Sequence, residues 1–381
     1  MTASSSRAWV AAGVVVGVTW AAGLRGWMVQ LVGDASVFSW STEVLVLLPG
    51  AAVGGLTALA AVRHAQGRGL PRGIVWSPAL FATALLDPTI LRAFVSTGEG
   101  SGALMVAATA LAGGAALSRR RWSAGRVLAA VVAVAGMLLL TAIGTMAAPF
   151  TTPRGAWVCL LGATLMAVLV AASSVVHRGG TGLTARSLPW VGAVAGLAWA
   201  GSLRALMAAV VGDGSTASWL GTFGWVLAPG AAVGALLGWA ELERRRGRPH
   251  RLLVWSPVLF VAVLVPGLVD LDAFLASGIG GGAVGVPAMA VIGAHALAAR
   301  RGVTRAVCAL VLLGGLAVWL LTAESVGGPG FALTTPRGTW ATLFYVGLLG
   351  TAALATAVPL RPQPQTSPRD GSRRIAATSA R

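Results

Sequence analysis

Long apolar segments are the feature that most limits how this chain can fold. They recur along almost its whole length, and most are near the ~20 residues that an α-helix needs to cross ~30 Å of hydrocarbon. With 56% hydrophobic and 10% charged residues, the chain has too little charge to cover a single soluble core. The sequence predicts an all-α, multi-pass protein of the cell membrane, with the lipid bilayer as its solvent.

The formal net charge of +17 would by itself indicate a nucleic-acid partner. All 28 basic residues are arginines, however, and most lie in short clusters between the apolar segments. That distribution is typical of cytoplasmic loops under the positive-inside rule. The charge therefore reports membrane topology, and we expect no nucleic-acid partner.

Two tandem copies of one pattern make up most of the chain. The block Pro-Gly-Ala-Ala-Val-Gly occurs at 49–54 and again at 229–234, and Thr-Thr-Pro-Arg-Gly occurs at 151–155 and at 334–338. Further matched blocks fall between them in the same order. An internal repeat of this kind predicts two structurally similar halves. The two predicted domains are residues 8–178 and 187–361.

Each copy divides into six apolar segments, so twelve transmembrane helices are predicted. An even number per copy makes the halves parallel, related by an axis along the membrane normal. Placing both termini in the cytoplasm puts 23 of the 28 arginines on that side. Residues 362–381 lack apolar periodicity and are predicted to form a disordered cytoplasmic tail. The predicted spans are 8–32, 43–62, 74–95, 103–117, 127–148 and 155–176 in the first copy, and 188–211, 222–240, 252–275, 283–299, 303–323 and 339–360 in the second.

Two parallel six-helix halves with both termini inside resemble the major facilitator superfamily, which implies alternating access between the halves. That family's loop motif, Gly-x-x-x-Asp-Arg-x-Gly-Arg-Arg, has a loose counterpart in Glu-Arg-Arg-Arg-Gly-Arg at 243–248, whereas the loop at 63–68 departs from it. The repeated Thr-Thr-Pro-Arg-Gly-x-Trp blocks more closely resemble uncharacterised multi-pass integral membrane proteins of GC-rich bacteria. This second resemblance covers most of the chain and implies no particular activity.

Arg25 and Arg204 are predicted about two helical turns below the outer surface of the membrane. Placing a charged side chain at that depth costs a few kcal/mol of free energy. A charged residue found there is therefore taken to be functional by default. We interpret both as anion contacts facing the bundle interior, each assisted by a nearby tryptophan, Trp20 or Trp199. In the alternative, each arginine reaches the headgroups or pairs with an acid. The acids considered as partners are Asp34, Glu43, Asp87, Asp213 and Asp270.

The identical Pro-Gly blocks lie within the second predicted helix of each copy, where Pro49 with Gly50, and Pro229 with Gly230, are predicted to kink the helix. Interrupted helices at matched positions are typical of transporter binding sites. The alternative is a kinked helix that packs closely through small residues.

The Thr-Thr-Pro-Arg-Gly blocks predict a helix start before the sixth span of each copy, with Thr152 or Thr335 as the N-cap. Each block then places an arginine, Arg154 or Arg337, at the positive end of a helix dipole. This combination predicts a site for an anion or a lipid headgroup. The alternative is a capped helix with an interfacial tryptophan anchor. Those anchors would be Trp157 and Trp340.

Glycine-rich loops at 98–102 and 278–282 are predicted on the outer side and permit an anion-holding turn. Among the acids, Glu43 aligns with a phenylalanine in the second copy, and Asp87 has no acidic match. A proton- or cation-coupling carboxylate would therefore belong to the first copy. For Asp87, capping a helix that starts at Pro88 is the alternative.

The four histidines and two cysteines are scattered without metal-ligand spacing, so no metal, cofactor or enzyme activity is expected. The leading hypothesis is a transporter or ligand-binding permease for a small anionic or amphiphilic solute or a lipid headgroup. Its pseudo-symmetric outer site would use Arg25, Arg204, Arg154, Arg337 and the glycine loops. The alternative is a non-catalytic scaffold or subunit of a membrane complex, and a lipid-modifying enzyme ranks third.

Overall fold

The computed structural model describes residues 3–33, 36–98, 100–118, 123–177, 180–269, 280–299 and 302–361. Within these ranges the chain is helical and contains no β-strand, which confirms the predicted all-α class. The predicted tail, residues 362–381, lies outside the described residues. So do residues 270–279, which hold the end of the ninth predicted span and the start of the second predicted glycine loop.

The α-helices of the described ranges are numbered in chain order. They are α1 (Ala3–Val32), α2 (Leu48–Ala65), α3 (Pro88–Thr97), α4 (Ser101–Leu117), α5 (Ala124–Ile143), α6 (Pro153–Val175), α7 (Leu188–Val211), α8 (Ala228–Arg245), α9 (Gly280–Ala298), α10 (Val303–Gly327) and α11 (Pro336–Thr356).

Other helical geometries occur at matched places in the two copies. A π-helical segment precedes α2 at Glu43–Leu47, and another precedes α8 at Trp219–Leu227. Long 3₁₀ segments follow these helices, at Arg72–Leu86 and Arg251–Val269. Each 3₁₀ segment contains the proline of a Trp-Ser-Pro block, whose missing N–H cannot join an α-helical ladder.

Eight helical segments in the described part of the chain are long and apolar enough to cross a membrane, or nine if one bent pair is counted. They support a polytopic membrane protein. The eight are Ser6–Val32, Glu43–Ala65, Ala124–Met146, Pro153–Val175, Ala185–Val211, Trp219–Arg245, Val303–Gly327 and Pro336–Leu360.

The third and fourth segments of each copy differ from the prediction of uniform spans. The segment predicted at 74–95 is not one helix, because the 3₁₀ segment Arg72–Leu86 meets α3 at a bend of 91°. Asp87 and Pro88 lie at this break, where a capping residue followed by proline starts a new helix. The fourth segment, α4, is a 17-residue helix. In the second copy, the corresponding segments are also shorter apolar helices.

Apolar side chains on the outside of the bundle indicate that lipid surrounds it. Leu128 and Leu138 on α5, and Leu310 and Leu321 on α10, are all more than 60% exposed. Contiguous exposed apolar faces of this kind are rare on soluble monomers. We therefore place α5 and α10 at the lipid-facing periphery.

Four helices, two from each copy, form the centre of the bundle. α1 contacts α6, α7 and α11, and α7 contacts α6 and α11. Large side chains fill the space between them with almost no solvent exposure, including Trp157, Leu161, Trp340, Phe344 and Leu348. This layer separates the two ends of the bundle.

The small-residue blocks bring helices into backbone contact. A Cβ atom on Gly54 of α2 would overlap the carbonyl oxygen of Gly13 and the backbone of Gly17 on α1. The second copy repeats this contact, where Gly234 of α8 lies against the backbone of Gly192 on α7. Pro49 and Pro229 lie in the first turn of α2 and α8, directly after the π-helical segments.

We predict that Gly54→Ala destabilises the protein by about 1–3 kcal/mol, because the added methyl group meets backbone atoms that cannot move aside. The measurement is the apparent free energy of unfolding in detergent or nanodiscs. Gly314→Ala on α10 is the matched control, since open space surrounds that glycine. Equal stabilities of the two variants would contradict this account of the α1–α2 contact.

Candidate functional site

A polar cavity of about 250 Å³ lies at one end of the central bundle. The C-terminal ends of α1 and α7 and the N-terminal ends of α6 and α11 surround it. Three arginines line it, Arg154, Arg204 and Arg337, and no carboxylate does among the side chains that the structure describes. Asp34 and the side chain of Asp213, in the adjoining loops, are not among those side chains. We call this space the arginine cavity.

The Thr-Thr-Pro-Arg-Gly blocks position two of these arginines as predicted. Thr152 caps α6 by accepting a hydrogen bond from the backbone N–H of Gly155 at 3.2 Å. Thr335 caps α11 in the same way, through the N–H of Gly338 at 3.0 Å. The glycine is required because a Cβ on Gly155 would overlap the Pro149 carbonyl oxygen. Each arginine consequently occupies the first turn of its helix.

Arg204 is buried, and its guanidinium is held on two sides. It donates hydrogen bonds to Ser215 Oγ at 2.8 Å and to the Thr216 carbonyl oxygen at 2.6 Å. Its Cζ lies 5.1 Å from the centre of the Trp157 ring. These contacts fix the guanidinium in the cavity wall and tie the loop after α7 back onto the helix.

Arg25 repeats this geometry but is not part of the cavity wall. It donates to Ser36 Oγ at 2.9 Å and to the Val37 carbonyl oxygen at 2.7 Å. Its Cζ lies 4.1 Å from the centre of the Phe38 ring. Ser36 and Phe38 line the cavity and separate Arg25 from it. The structural alternative thus describes Arg25 well: its hydrogen-bond partners are a hydroxyl and a carbonyl group, and Glu43 lies close enough to interact with it electrostatically.

Arg337 contacts the loop after α1, the segment before α11 and the end of α7. It donates a hydrogen bond to the Ala209 carbonyl oxygen in the last turn of α7 at 2.9 Å. Its Cζ lies 4.6 Å from the Phe331 ring centre and 5.9 Å from that of Phe38. Arg154, its counterpart in the first copy, is exposed at the cavity rim. At these matched positions, Arg337 is therefore hydrogen-bonded to α7, whereas Arg154 is exposed.

Trp157 is a wall residue whose role in the site was not predicted. Its indole is 2% exposed, and its Nε1–H has no hydrogen-bond partner in the described structure. The matching Trp340 donates to the Ala22 carbonyl oxygen at 3.2 Å. Both rings are buried, so the alternative role as interfacial anchors is wrong. A buried donor left unpaired costs free energy.

Trp20 and Trp199 do not lie near the arginine cavity. Trp20 donates to the Leu165 carbonyl oxygen at 2.8 Å and packs on Phe81, towards the opposite end of α1. Trp199 makes the matching bond to the Leu348 carbonyl oxygen at 2.9 Å. The reason is helical geometry: residues five positions apart differ by about 140° around the helix axis and about 7.5 Å along it.

The two candidate acids are also apart from the cavity wall. Glu43 begins the π-helical segment, and its carboxylate oxygens are buried without a hydrogen-bond partner. Asp87 caps α3 by accepting from the backbone N–H of Thr89 at 2.8 Å, as its structural alternative predicted. The first glycine loop forms the αL turns Gly98 and Gly100 at the ends of α3 and α4, and neither glycine lines the arginine cavity.

The chemistry of the arginine cavity favours an oxyanion. Arginines bind carboxylate, phosphate and sulfate through paired N–H donors, and Ser36, Ser215 and Gln30 add polar groups to the wall. The dipoles of α6 and α11 point their positive ends at the same space. No three His, Cys, Asp or Glu side chains in the described ranges are grouped to hold a metal ion.

Comparisons with known proteins add no assignment. No family model matches the chain, and neither a curated protein nor a solved structure is significantly similar to it.

We predict that Arg25→Gln lowers the free energy of unfolding by about 1–3 kcal/mol, because Ser36 Oγ and the Val37 carbonyl lose a charged donor. Arg92→Gln is the matched control, since that arginine lies on the exposed helix α3. Chemical or thermal unfolding in nanodiscs measures the difference. If the two variants were equally stable, Arg25 would not hold the loop.

Proposed function

We propose that the protein is a permease for a small anionic solute, which enters through the arginine cavity. The observation that carries the proposal is the cavity wall itself. Arg154 and Arg204 line the same space as Trp157, whose buried indole N–H has no hydrogen-bond partner in the described structure. One buried guanidinium and one at the rim make the cavity cationic, which favours a bound anion, since charge-assisted hydrogen bonds to arginine are stronger than neutral ones.

We further propose that two parallel six-helix repeats form the permease and that both termini are cytoplasmic. The recurring Arg–Ser and Trp–carbonyl hydrogen bonds support the repeat, because they join equivalent positions of the two copies. Arginine clusters at one end of the helices support the orientation. Alternating access would move one repeat against the other around the central helices.

The shorter segments support twelve spans if their helix type is considered. A 3₁₀ helix rises about 2.0 Å per residue, against 1.5 Å for an α-helix. The 15 residues Arg72–Leu86 would thus cover about 30 Å, which is the thickness of the hydrocarbon core. In this arrangement α3 lies along the outer membrane surface and α4 returns to the cytoplasm.

Anion binding is tested by thermal unfolding in nanodiscs of neutral lipid, with sulfate, phosphate and small mono- and dicarboxylates as probes. We predict a concentration-dependent rise in apparent stability, reaching about 2.7 kcal/mol at a hundred times the dissociation constant. Arg154→Ala and Trp157→Phe are expected to abolish it, and Arg92→Ala, on α3, is the control. A shift that both cavity variants retain, or no shift with any probe, would favour the scaffold hypothesis.

The twelve-span arrangement is tested by labelling single cysteines with a membrane-impermeant maleimide in intact cells, after Cys159 and Cys308 are replaced by alanine. We predict that Thr97→Cys, at the end of α3, is labelled from outside. If the third and fourth segments did not cross the membrane, this residue would be cytoplasmic and protected. Thr151→Cys is the outer control and Ala124→Cys is the inner control. Each residue lies on the same side of the membrane whether or not the third and fourth segments cross it.

A further inference from the structure

A second and larger cavity lies at the opposite end of the central bundle. It has a volume of about 700 Å³ and is formed by α1, α2 and α6 together with the C-terminal ends of α8 and α11. The buried layer around Leu161 and Phe344 separates it from the arginine cavity. The proposed orientation places it at the cytoplasmic side. We call it the acyl cavity.

Most of the wall of the acyl cavity is apolar. Trp20 and Phe81 form an aromatic surface, with their ring centres 4.9 Å apart, and Val53 and Leu169 extend it. Its volume lies in the range of ligand-binding pockets, roughly 300–1,000 Å³. The shape and chemistry of the wall suit a hydrocarbon chain.

Charged groups gather on one part of this apolar wall. Arg244, Arg245 and Arg361 line the cavity with one carboxylate, Glu241. Glu241 pairs with Arg244 at 2.8 Å and with Arg245 at 2.7 Å. Arg361 donates to the Leu354 carbonyl oxygen at 3.3 Å, and its Cζ lies 4.5 Å from the centre of the Trp9 ring. Three guanidinium groups against one carboxylate leave an excess of positive charge there.

The second copy provides an internal comparison. A cavity of about 310 Å³ occupies the matching place, with Trp199 and Phe260 where the acyl cavity has Trp20 and Phe81. None of its described lining residues is an arginine. The matched Pro-Gly blocks align Arg244 and Arg245 with His64 and Ala65 of the first copy. Arg244 and Arg245 therefore have no arginine counterpart in the first copy, whereas the matched Thr-Thr-Pro-Arg-Gly blocks align Arg361 with Arg178.

We propose that the acyl cavity binds an anionic phospholipid of the cytoplasmic leaflet. One acyl chain lies along Trp20 and Phe81, and the phosphate contacts Arg245 and Arg361. Because the bilayer is as apolar as the cavity, inserting the chain favours no particular lipid. The guanidinium groups supply the selectivity, since they bind a phosphate through paired hydrogen bonds. This inference rests on the proposed orientation of the protein and is independent of anion transport through the arginine cavity.

The test measures lipid retained by the intact protein in nanodiscs of phosphatidylcholine with a minor fraction of phosphatidylglycerol. Native mass spectrometry counts the bound lipid, and thermal unfolding measures stabilisation over pure phosphatidylcholine. We expect one retained phosphatidylglycerol in the wild type. Arg361→Gln is expected to weaken retention about tenfold, through the loss of one charged hydrogen-bonding group.

Two further variants keep the test decisive if Arg361→Gln folds poorly. Ala61→Trp fills the cavity from an exposed position and is expected to abolish retention. Arg246→Gln is the control, because that arginine pairs with Glu243 outside the cavity. Equal retention by all variants would overturn the proposal. So would full competition by inorganic phosphate, which would assign the arginines to a free anion. Neither result changes the Arg154-dependent stabilisation expected at the arginine cavity.

Discussion

A guanidinium buried at the end of a membrane-spanning helix has to be satisfied by hydrogen bonds, and this constraint shapes one whole end of the molecule. Arg25 and Arg204 each take a serine hydroxyl and the next residue's carbonyl oxygen from the loop that follows. The loops fold back over the bundle to make these bonds. That position brings Ser36, Phe38 and Ser215 into the wall of the arginine cavity. The two buried arginines therefore hold these loop residues in the wall of the arginine cavity.

The two copies share their backbone contacts and differ at the sites where ligands would bind. Glycine-mediated contacts and the tryptophan–carbonyl bonds recur at matched positions. Trp157 keeps an unpaired N–H while Trp340 donates to a carbonyl oxygen, and Arg154 is exposed while Arg337 engages α7. The acyl cavity likewise has arginines, whereas none is among the described lining residues of its counterpart. The matched segments therefore share packing contacts and differ at these cavity residues.

Local signals in the sequence predicted the local structure. The threonine caps at Thr152 and Thr335 and the break at Asp87-Pro88 follow from the nearest few residues. The long 3₁₀ segments and the 91° bend were not predicted, because hydropathy measures apolar length and carries no information about helix type. Grouping Trp20 with Arg25 failed for a geometric reason, as their spacing places them on different faces of α1.

The cavities themselves required the tertiary structure. Trp157 differs from Trp340 through the carbonyl oxygen available on a neighbouring helix, which no local sequence pattern reveals. The acyl cavity joins residues from both copies, and its charge comes from the ends of α8 and α11. The sequence signal for this charge was the alignment of the matched blocks, which shows that Arg244 and Arg245 have no arginine counterparts.

The most direct test of the central claim is solute flux in proteoliposomes of defined lipid, with uptake of a radiolabelled anion followed over time. If the arginine cavity is the entrance of a permease, uptake saturates with anion concentration and falls about tenfold or more in Arg154→Ala, as expected for the loss of a charged contact. Uptake no faster than in protein-free liposomes, or equal in the wild type and the variant, would contradict the account.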